Sequence, residues 1–565
     1  MKKRALPALV AILAVAAAAW NANAEEAASS RDANIARNLL IFNTLVKQLE
    51  NTYVDTIRTD EAFRAAIGAM LNTVDPYTEY YPSDDREQLI RMTTGSYGGI
   101  GSFIMERDNN TYISEPITGS PALKAGLRPG DHIIQVDSTD VRGKKSDFTT
   151  RLLKGQPGTN VRVTVARPYV GPDSIMTFDI ERARVLEPSV PYYGVTDGHT
   201  GYIKLNAFVE SSADDIRQAL EGFRDNPEVR NIVLDLRSNG GGLVESAVEI
   251  LGFFLPKGTQ VLSTKGKDAS AMRTYKTTRE PIMPDIPMAV LIDGASASAS
   301  EITAGALQDL DRAVLVGTRS FGKGLVQGTL SLPYDGLLKV TTAKYYIPSG
   351  RLIQALDYSH RNPDGSVART PDSLTNEYTT RAGRIVRDGG GLTPDSTVAI
   401  PEYSRLLYNL MAGHQIFDYA NRYAATHPSI PSPAEFSITD DLYADFVASV
   451  DTAAMKSDKI GVQMVEDMRK VARTEGFLTD SLTVALDAML PLVASNLQRD
   501  LYNKREEIAP FLGEEIVGRY YGTPGQTQYM TRDDEELRTA VAILSDPDRY
   551  KSMLSAPKAL PKKSK

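Results

Sequence analysis

A chain of 565 residues is long enough for three or four domains, which excludes a lone small binding module. Hydrophobic residues make up 42% and charged residues 24%, so neither a wholly disordered chain nor a polytopic membrane protein fits. Lys and Arg number 63 against 71 Asp and Glu, a net charge of -8 that speaks against nucleic acid as a partner.

Residues 1–24 read as a signal peptide. Lys2, Lys3 and Arg4 precede an apolar stretch over 5–19, and Ala22-Asn23-Ala24 form a small-x-small cleavage site before Glu25. The apolar stretch is short for a membrane anchor, so the expected product is exported, periplasmic or associated with the cell envelope, with no permanent membrane span after cleavage. A retained anchor is the alternative. With Cys 0 there is no lipid-attachment cysteine, no disulfide and no thiolate chemistry, so stability rests on apolar cores.

Residues 25–83 read as an N-terminal helical region. Ile35, Leu39, Phe42, Val46 and Leu49 share one helical face, and Phe63, Ile67 and Met70 mark a second helix. Asp75-Pro76 ends the helices, and the aromatic segment 77–82 reads as an interdomain connection. From 84 to 170, short β-type runs at 100–105, 112–115, 132–136 and 161–166, separated by Gly and Pro, predict a small β-rich domain. From 171 to 400, apolar runs at 202–205, 232–236, 290–292 and 313–316 alternate with helical stretches, which predicts α/β layers. Within that region the polar stretch 357–383 reads as a long mobile loop. Residues 401–555 are helical in pattern, with Tyr403, Leu407, Leu410, His414, Phe417 and Ala420 on one face and His414 as a packing residue. Residues 556–565 read as a disordered basic tail.

Metal chemistry finds little support, because His132, His199, His360, His414 and His427 are widely spread and no H-E-x-x-H is present. No metal and no cofactor is expected. Gly240-Gly241-Gly242 and Gly322-Lys323-Gly324 both lack the flanking residues of a phosphate loop. The informative stretch is 291–302, where an apolar strand runs through small residues into a helix. A serine there sits at a helix N-terminus, where free N–H groups and the dipole stabilise an oxyanion. On spacing alone, Ser296, Ser298 and Ser300 also read as small residues and N-caps at a crowded turn, since no Ser-His-Asp signature accompanies them. A serine nucleophile without histidine needs another base. A lysine serves only when neutral, which costs about 4 to 5 kcal/mol at pH 7 unless burial lowers its pKa. Lys323, among glycines and apolar residues, is the candidate, and Gln327 four residues on could hydrogen-bond its amine.

The segments 296–309 (SASASEITAGALQD) and 321–327 (FGKGLVQ) closely resemble the signature of the C-terminal processing peptidases, or tail-specific proteases. That resemblance implies that Ser298 is the nucleophile, Lys323 the general base and Gln327 its orienter, with Asp309 in a structural role. Residues 235–242 (DLRSNGGG) resemble the family's D-L-R-x-N-P-G-G element, which implies an oxyanion hole from the amides of Gly241 and Ala299. Gly240 replaces the usual proline, so the glycine stays open by one residue. Residues 119–131 look like the hallmark of a PDZ domain, and 97–103 resemble its carboxylate-binding loop, implying peptide binding at Gly99, Ile100, Gly101 and Ser102. Asp75-Pro76-Tyr77-Thr78 resembles the element that precedes the PDZ domain in the family.

The implied fold is a crotonase-like α/β serine protease core with an inserted small β-rich PDZ domain and flanking helical regions. The implied activity is an exported serine endopeptidase that recognises protein C-termini through its PDZ domain and cleaves with a Ser–Lys dyad, processing or degrading envelope proteins. Its partners are then protein substrates with free C-termini, with a homo-oligomer left open. A noncatalytic PDZ-containing binding protein on a protease scaffold is the alternative, and a trypsin-like protease with a PDZ domain a weaker one. The resemblance covers roughly residues 35–395, and the region after 400 matches no signature.

Overall fold

The computed structural model describes residues 31–556 apart from 170, 172–173, 269–271, 363, 452–454, 456–459 and 495. The signal peptide read over 1–24, and residues 557–565 of the basic tail, lie outside the described residues.

The chain divides into two units, Met1–Tyr80 and Tyr81–Lys565. In the first, residues 31–52 and Thr59–Asn72 are helical, as the apolar spacing predicts. Phe42 of one helix meets Phe63 of the other edge to face, with ring centres 5.7 Å apart. The Asp75 carboxylate then accepts the N–H groups of Tyr77 and Thr78, each at 2.8 Å, which closes a turn at Asp75-Pro76.

The centre of the second unit is a sheet in the order Tyr192–Thr196, Thr200–Lys204, Asn231–Asp235, Met288–Ile292, Val314–Gly317, Ser396–Thr397. All its pairings are parallel except the first. Parallel strands are covered on both faces, which explains their near-continuous apolar runs. Alternation still sorts the side chains. Ile232, Leu234, Val290, Ile292 and Leu315 face a core shared with the helices Ser212–Arg224, Val244–Leu251 and Ala299–Asp309. Tyr202, Val233, Ala289, Leu291, Val314 and Val316 face the other way, against Leu537, Ala540, Ile543 and Leu544 of the helix Glu535–Leu544. A second, antiparallel sheet contains the hairpin Leu325–Ser331 with Leu337–Tyr346, extended by Gln260–Gly266 and Arg273–Lys276.

The β-rich domain has the strand order Ser102–Arg107, Asn110–Pro116, His132–Val136, Asn160–Ala166, Ile175–Glu181. Its core comprises Ile100, Ile113, Leu127, Ile133, Val161, Val163, Val165 and Ile180 with their neighbours. Here the structure moves a boundary. The sequence places the domain's end at 170, but Ile175–Glu181 pairs residue for residue with Asn160–Ala166, so the domain's sheet extends to Glu181. The polar stretch 357–383 also differs from the loop expected. It carries Leu356–Arg361 paired with Val367–Arg369, and Glu377–Thr379 paired with Ile385–Arg387. These short strands are polar and mostly exposed, so no buried face wrote an alternating pattern into the sequence.

The C-terminal region is helical and has its own core, which includes Leu407, Leu410, Tyr419, Phe446, Ile508, Leu512 and Ile516. The single helical stripe expected over 403–420 is two helices, Arg405–Ala412 and Gln415–Thr426. His414 stands between them at φ +56, caught in a left-handed turn after Gly413. The region touches the β-rich domain through the Arg107–Asp418 ion pair at 2.8 Å. A second contact is Glu115, whose carboxylate accepts the Thr523 N–H at 2.9 Å where the helix Arg505–Met530 kinks at Gly522.

Candidate active site

Strand Met288–Ile292 ends at the C-terminal edge of the parallel sheet, and the chain turns there into the helix Ala299–Asp309, all of whose residues are buried. Open α/β sheets place their ligands at this edge. Ser298 occupies the N-cap at φ +56, ψ -114, a strained conformation for a residue with a side chain. The three serines of the segment separate clearly. The Ser296 hydroxyl donates to the Leu236 carbonyl at 2.8 Å and the Ser300 hydroxyl to the Asn239 carbonyl at 2.8 Å, and both residues are fully buried. Ser298 is partly exposed and lines a cavity of 1260 Å³.

Lys323 and Gln327 line the same cavity. Lys323 is half-buried in the loop before the hairpin strand Leu325–Ser331. A register shift between Val326 and Gln327 interrupts regular pairing in that strand. The Gln327 amide NH2 donates to the Thr341 hydroxyl at 3.1 Å.

Glu301 ties the serine to the lysine, and the sequence reading gave it no role. It has no solvent exposure. One carboxyl oxygen accepts the N–H of Ser298 at 3.0 Å and the N–H of Lys323 at 2.9 Å. The other accepts the Gly322 N–H at 2.7 Å and the Ser320 hydroxyl at 2.5 Å. Burial pushes the Glu301 carboxyl up to about 7, against the pull of these hydrogen bonds. The Tyr345 hydroxyl adds a second tie, lying 2.6 Å from the Lys323 carbonyl and 3.2 Å from the Ser298 carbonyl. The S-x-x-E spacing of a capping box was the available signal for Glu301.

Gly241 stands at φ +99 with its back to the serine turn. A Cβ there would lie 2.8 Å from the Ala299 nitrogen and 2.6 Å from the Ala297 carbonyl oxygen, so only glycine fits. Its N–H is donated to Asn239 Oδ1 at 2.9 Å. Ala299 follows Ser298 as the first residue of the buried helix. Asp309 lies at the far end of that helix, away from the cavity lining. It is buried and paired with buried Arg351 at 2.8 Å, and it accepts the Ser349 N–H.

In the β-rich domain Gly99 pairs with Ala183, and the Ile100 carbonyl accepts the Ala122 N–H at 2.8 Å. Gly101 stands at φ +77, and Ser102 opens the strand Ser102–Arg107. Among the described strands this one is at the edge of its sheet, with one side unpaired. Phe103, Glu115, Ile117 and Thr118 of this domain line the cavity that holds Ser298, as do Thr523 and Pro524 of the C-terminal region. Among the described residues no group of three or more His, Asp or Glu is arranged to hold a metal, and no helix is long and apolar enough to cross a membrane.

Residues 199–364 match the model of peptidase family S41, 112–167 that of the PDZ domain, and 406–544 that described as "Probable PDZ-protease, C-terminal helical domain". The chain is therefore a serine-type peptidase that carries a PDZ domain. It is 32% identical over 336 residues to the carboxy-terminal-processing protease of Bartonella bacilliformis, covering 59% of this chain and 76% of that one. It is 33% identical over 319 residues to the "Probable CtpA-like serine protease" of Staphylococcus aureus, covering 56% and 62%. Among solved structures, the photosystem II D1 C-terminal processing protease is 27% identical, covering 63% and 86% with a TM-score of 0.35. The chain belongs to the C-terminal processing peptidase family.

Proposed function

We propose that this peptidase cleaves proteins with a Ser298–Lys323 dyad after capturing their free C-termini on the PDZ domain. The observation that carries the reading is the pair of main-chain ties from Ser298 and Lys323 to one Glu301 oxygen beside a single cavity, which supports a nucleophile–base pair there. Neutral Lys323 takes the Ser298 proton as the hydroxyl attacks the scissile carbonyl, and later returns it to the leaving amine. Gln327 orients the amine. The Thr341 contact occupies the NH2 end of Gln327, so its amide oxygen is the end suited to accept from an ammonium group. The oxyanion is held by the Ala299 and Gly241 amides, with the Gly241 N–H passing from Asn239 to the substrate oxygen. Asp309 supports the far end of the nucleophile helix through Arg351.

The tail adds as a strand along the free edge of Ser102–Arg107, its carboxylate held by the amides of the loop containing Gly99, Ile100, Gly101 and Ser102. PDZ residues in the cavity wall support delivery of that tail to Ser298. The leader pattern supports export, with envelope proteins as substrates. Ser298→Ala and Lys323→Ala are each expected to lower turnover by on the order of 10⁴-fold with the fold intact, and the double variant little further. Lys323→Arg is expected to be silent too, because a guanidinium stays charged. Wild-type turnover in Ser298→Ala, with loss in Ser296→Ala or Ser300→Ala, would overturn the assignment.

A further inference from the structure

The helix Glu535–Leu544 does more than cover the sheet. Its N-cap Asp534 and first-turn Glu536 both reach Arg237, which lies 297 residues before Asp534 and just after the strand Asn231–Asp235. Arg237 Nη1 and Nη2 contact the two Asp534 oxygens at 3.1 and 2.5 Å, and Nη1 also pairs with Glu536. Arg237 Nε and Nη2 bind the Asp235 oxygens at 3.0 and 2.6 Å. The planar fork of one guanidinium thus joins the end of a core strand to the start of a distant helix. Asp235 is 1% exposed, and Arg237, Asp534 and Glu536 are all below 20%, so solvent screens this cluster little.

The main chain of Arg237 leads into the loop that ends at Gly241, and nearly every step is pinned. The Arg237 carbonyl accepts Lys204 Nζ at 2.8 Å. The Ser238 N–H is held 3.0 Å from both Asp293 oxygens, with φ at +60. Asn239 donates to the Leu205 carbonyl, and its own carbonyl accepts from Ala297 and Ser300 of the serine segment. Arg237 is thus one anchor of the loop whose Gly241 packs against the serine turn, so closely that a Cβ there would lie 2.8 Å from the Ser298 Cβ.

We propose that Asp534 and Glu536 are positioning residues of the peptidase: through Arg237 they fix the loop 238–242 so that the Gly241 amide meets the oxyanion formed at Ser298. The proposal rests on the oxyanion-hole reading above. The C-terminal helical region is then part of the catalytic machinery as well as of the fold.

The test is Asp534→Asn with Glu536→Gln in the full chain. Asparagine remains a good N-cap, so the helix keeps its start while the charges facing Arg237 are removed. The expected result is a fall in kcat of about 10²-fold, the scale of one oxyanion donor. KM and the binding of a free-acid tail peptide should stay within about threefold. Affinity for a peptide aldehyde that forms a tetrahedral adduct on Ser298 should fall in parallel with kcat. Glu536→Gln alone leaves Asp235 and Asp534 on Arg237 and serves as the milder variant if the double one folds poorly, with a kcat loss of about tenfold. Leu537→Ala thins the same helix's packing without touching Arg237, so it should lower the Tm and leave kcat per folded enzyme unchanged. A double variant with kcat no lower than that of Leu537→Ala would overturn the proposal, as would equal losses of kcat and tail binding. Ser298→Ala assayed alongside separates the two readings. If it stays active, the site itself is wrong. If it is silent beside a fully active double variant, only the positioning role falls.

Discussion

Glu301 combines two opposed demands in one side chain: complete burial, which disfavours charge, and four donors aimed at its oxygens, which favour it. Burial wins, taking the carboxyl to about 7 from an ordinary 4.5. The folded protein therefore keeps a proton over a range in which the unfolded chain has released it. The associated stability is fully present below about pH 4.5 and is lost as pH rises through about 7. The shift corresponds to about 3 kcal/mol. Thermal melts at pH 4.5 and pH 8 should show Glu301→Gln gaining about that much on the wild type between the two. A constant gap would show that the carboxyl is not perturbed. At any pH the glutamine NH2 sets a donor against donors, at a cost of ~1–3 kcal/mol. Turnover should fall on the order of tenfold or more. The S-x-x-E pattern at Ser298 and Glu301 is legible as a helix start. The donations from Ser320, Gly322 and Lys323 are not, because they depend on a loop twenty residues on folding back over the same oxygens. The choice among three serines is likewise a tertiary fact: two hydroxyls are consumed by carbonyls of the 236–239 segment, which no local spacing records.

On the function proposed above, the edge strand Ser102–Arg107 and the turn before it are the element that takes the substrate's tail. Gly101 has its carbonyl on the Ile117 N–H at 3.0 Å, and a Cβ at this position would fall 2.4 Å from the Cβ of Ser120. Ser120 itself caps the helix Pro121–Ala125. Gly101→Val should therefore distort the carboxylate loop and cut kcat/KM for a tail-bearing protein by on the order of tenfold or more. A short peptide delivered directly to Ser298 should be affected much less. Amidating the tail of a good substrate should slow it in the same way, since the anion is lost while the scissile bond is unchanged. Equal rates for free-acid and amidated substrates below saturation would show that the tail is not what is read. Strands with a buried face, such as His132–Val136 and Met288–Ile292, are legible in the sequence because burial writes apolar runs. The strands between 356 and 387 carry no such record.

Across the whole molecule, a sheet is finished by a helix that the chain makes last but one. Ending the chain at 533 would bare Tyr202, Val233, Ala289, Leu291, Val314 and Val316 as one apolar face and would take Asp534 and Glu536 away from Arg237, leaving it Asp235. Ending it at 400 would also remove the helical core behind the cavity rim. Both truncations should be insoluble or aggregated by sedimentation, and inactive. A monodisperse, active truncation of either kind would show that the helical region is dispensable. No pattern in the sequence links residue 540 to residue 233; only the length and apolar stripes of the region announce that it packs on something. The order of the elements has a further consequence, in time. A ribosome completes Ser298 and Lys323 more than two hundred residues before the helix Glu535–Leu544, which covers the parallel sheet that leads to Ser298. A chain made only through Lys323 thus lacks the helix that packs on the far face of that sheet, and Tyr202, Val233 and Leu291 stay bare until it is added.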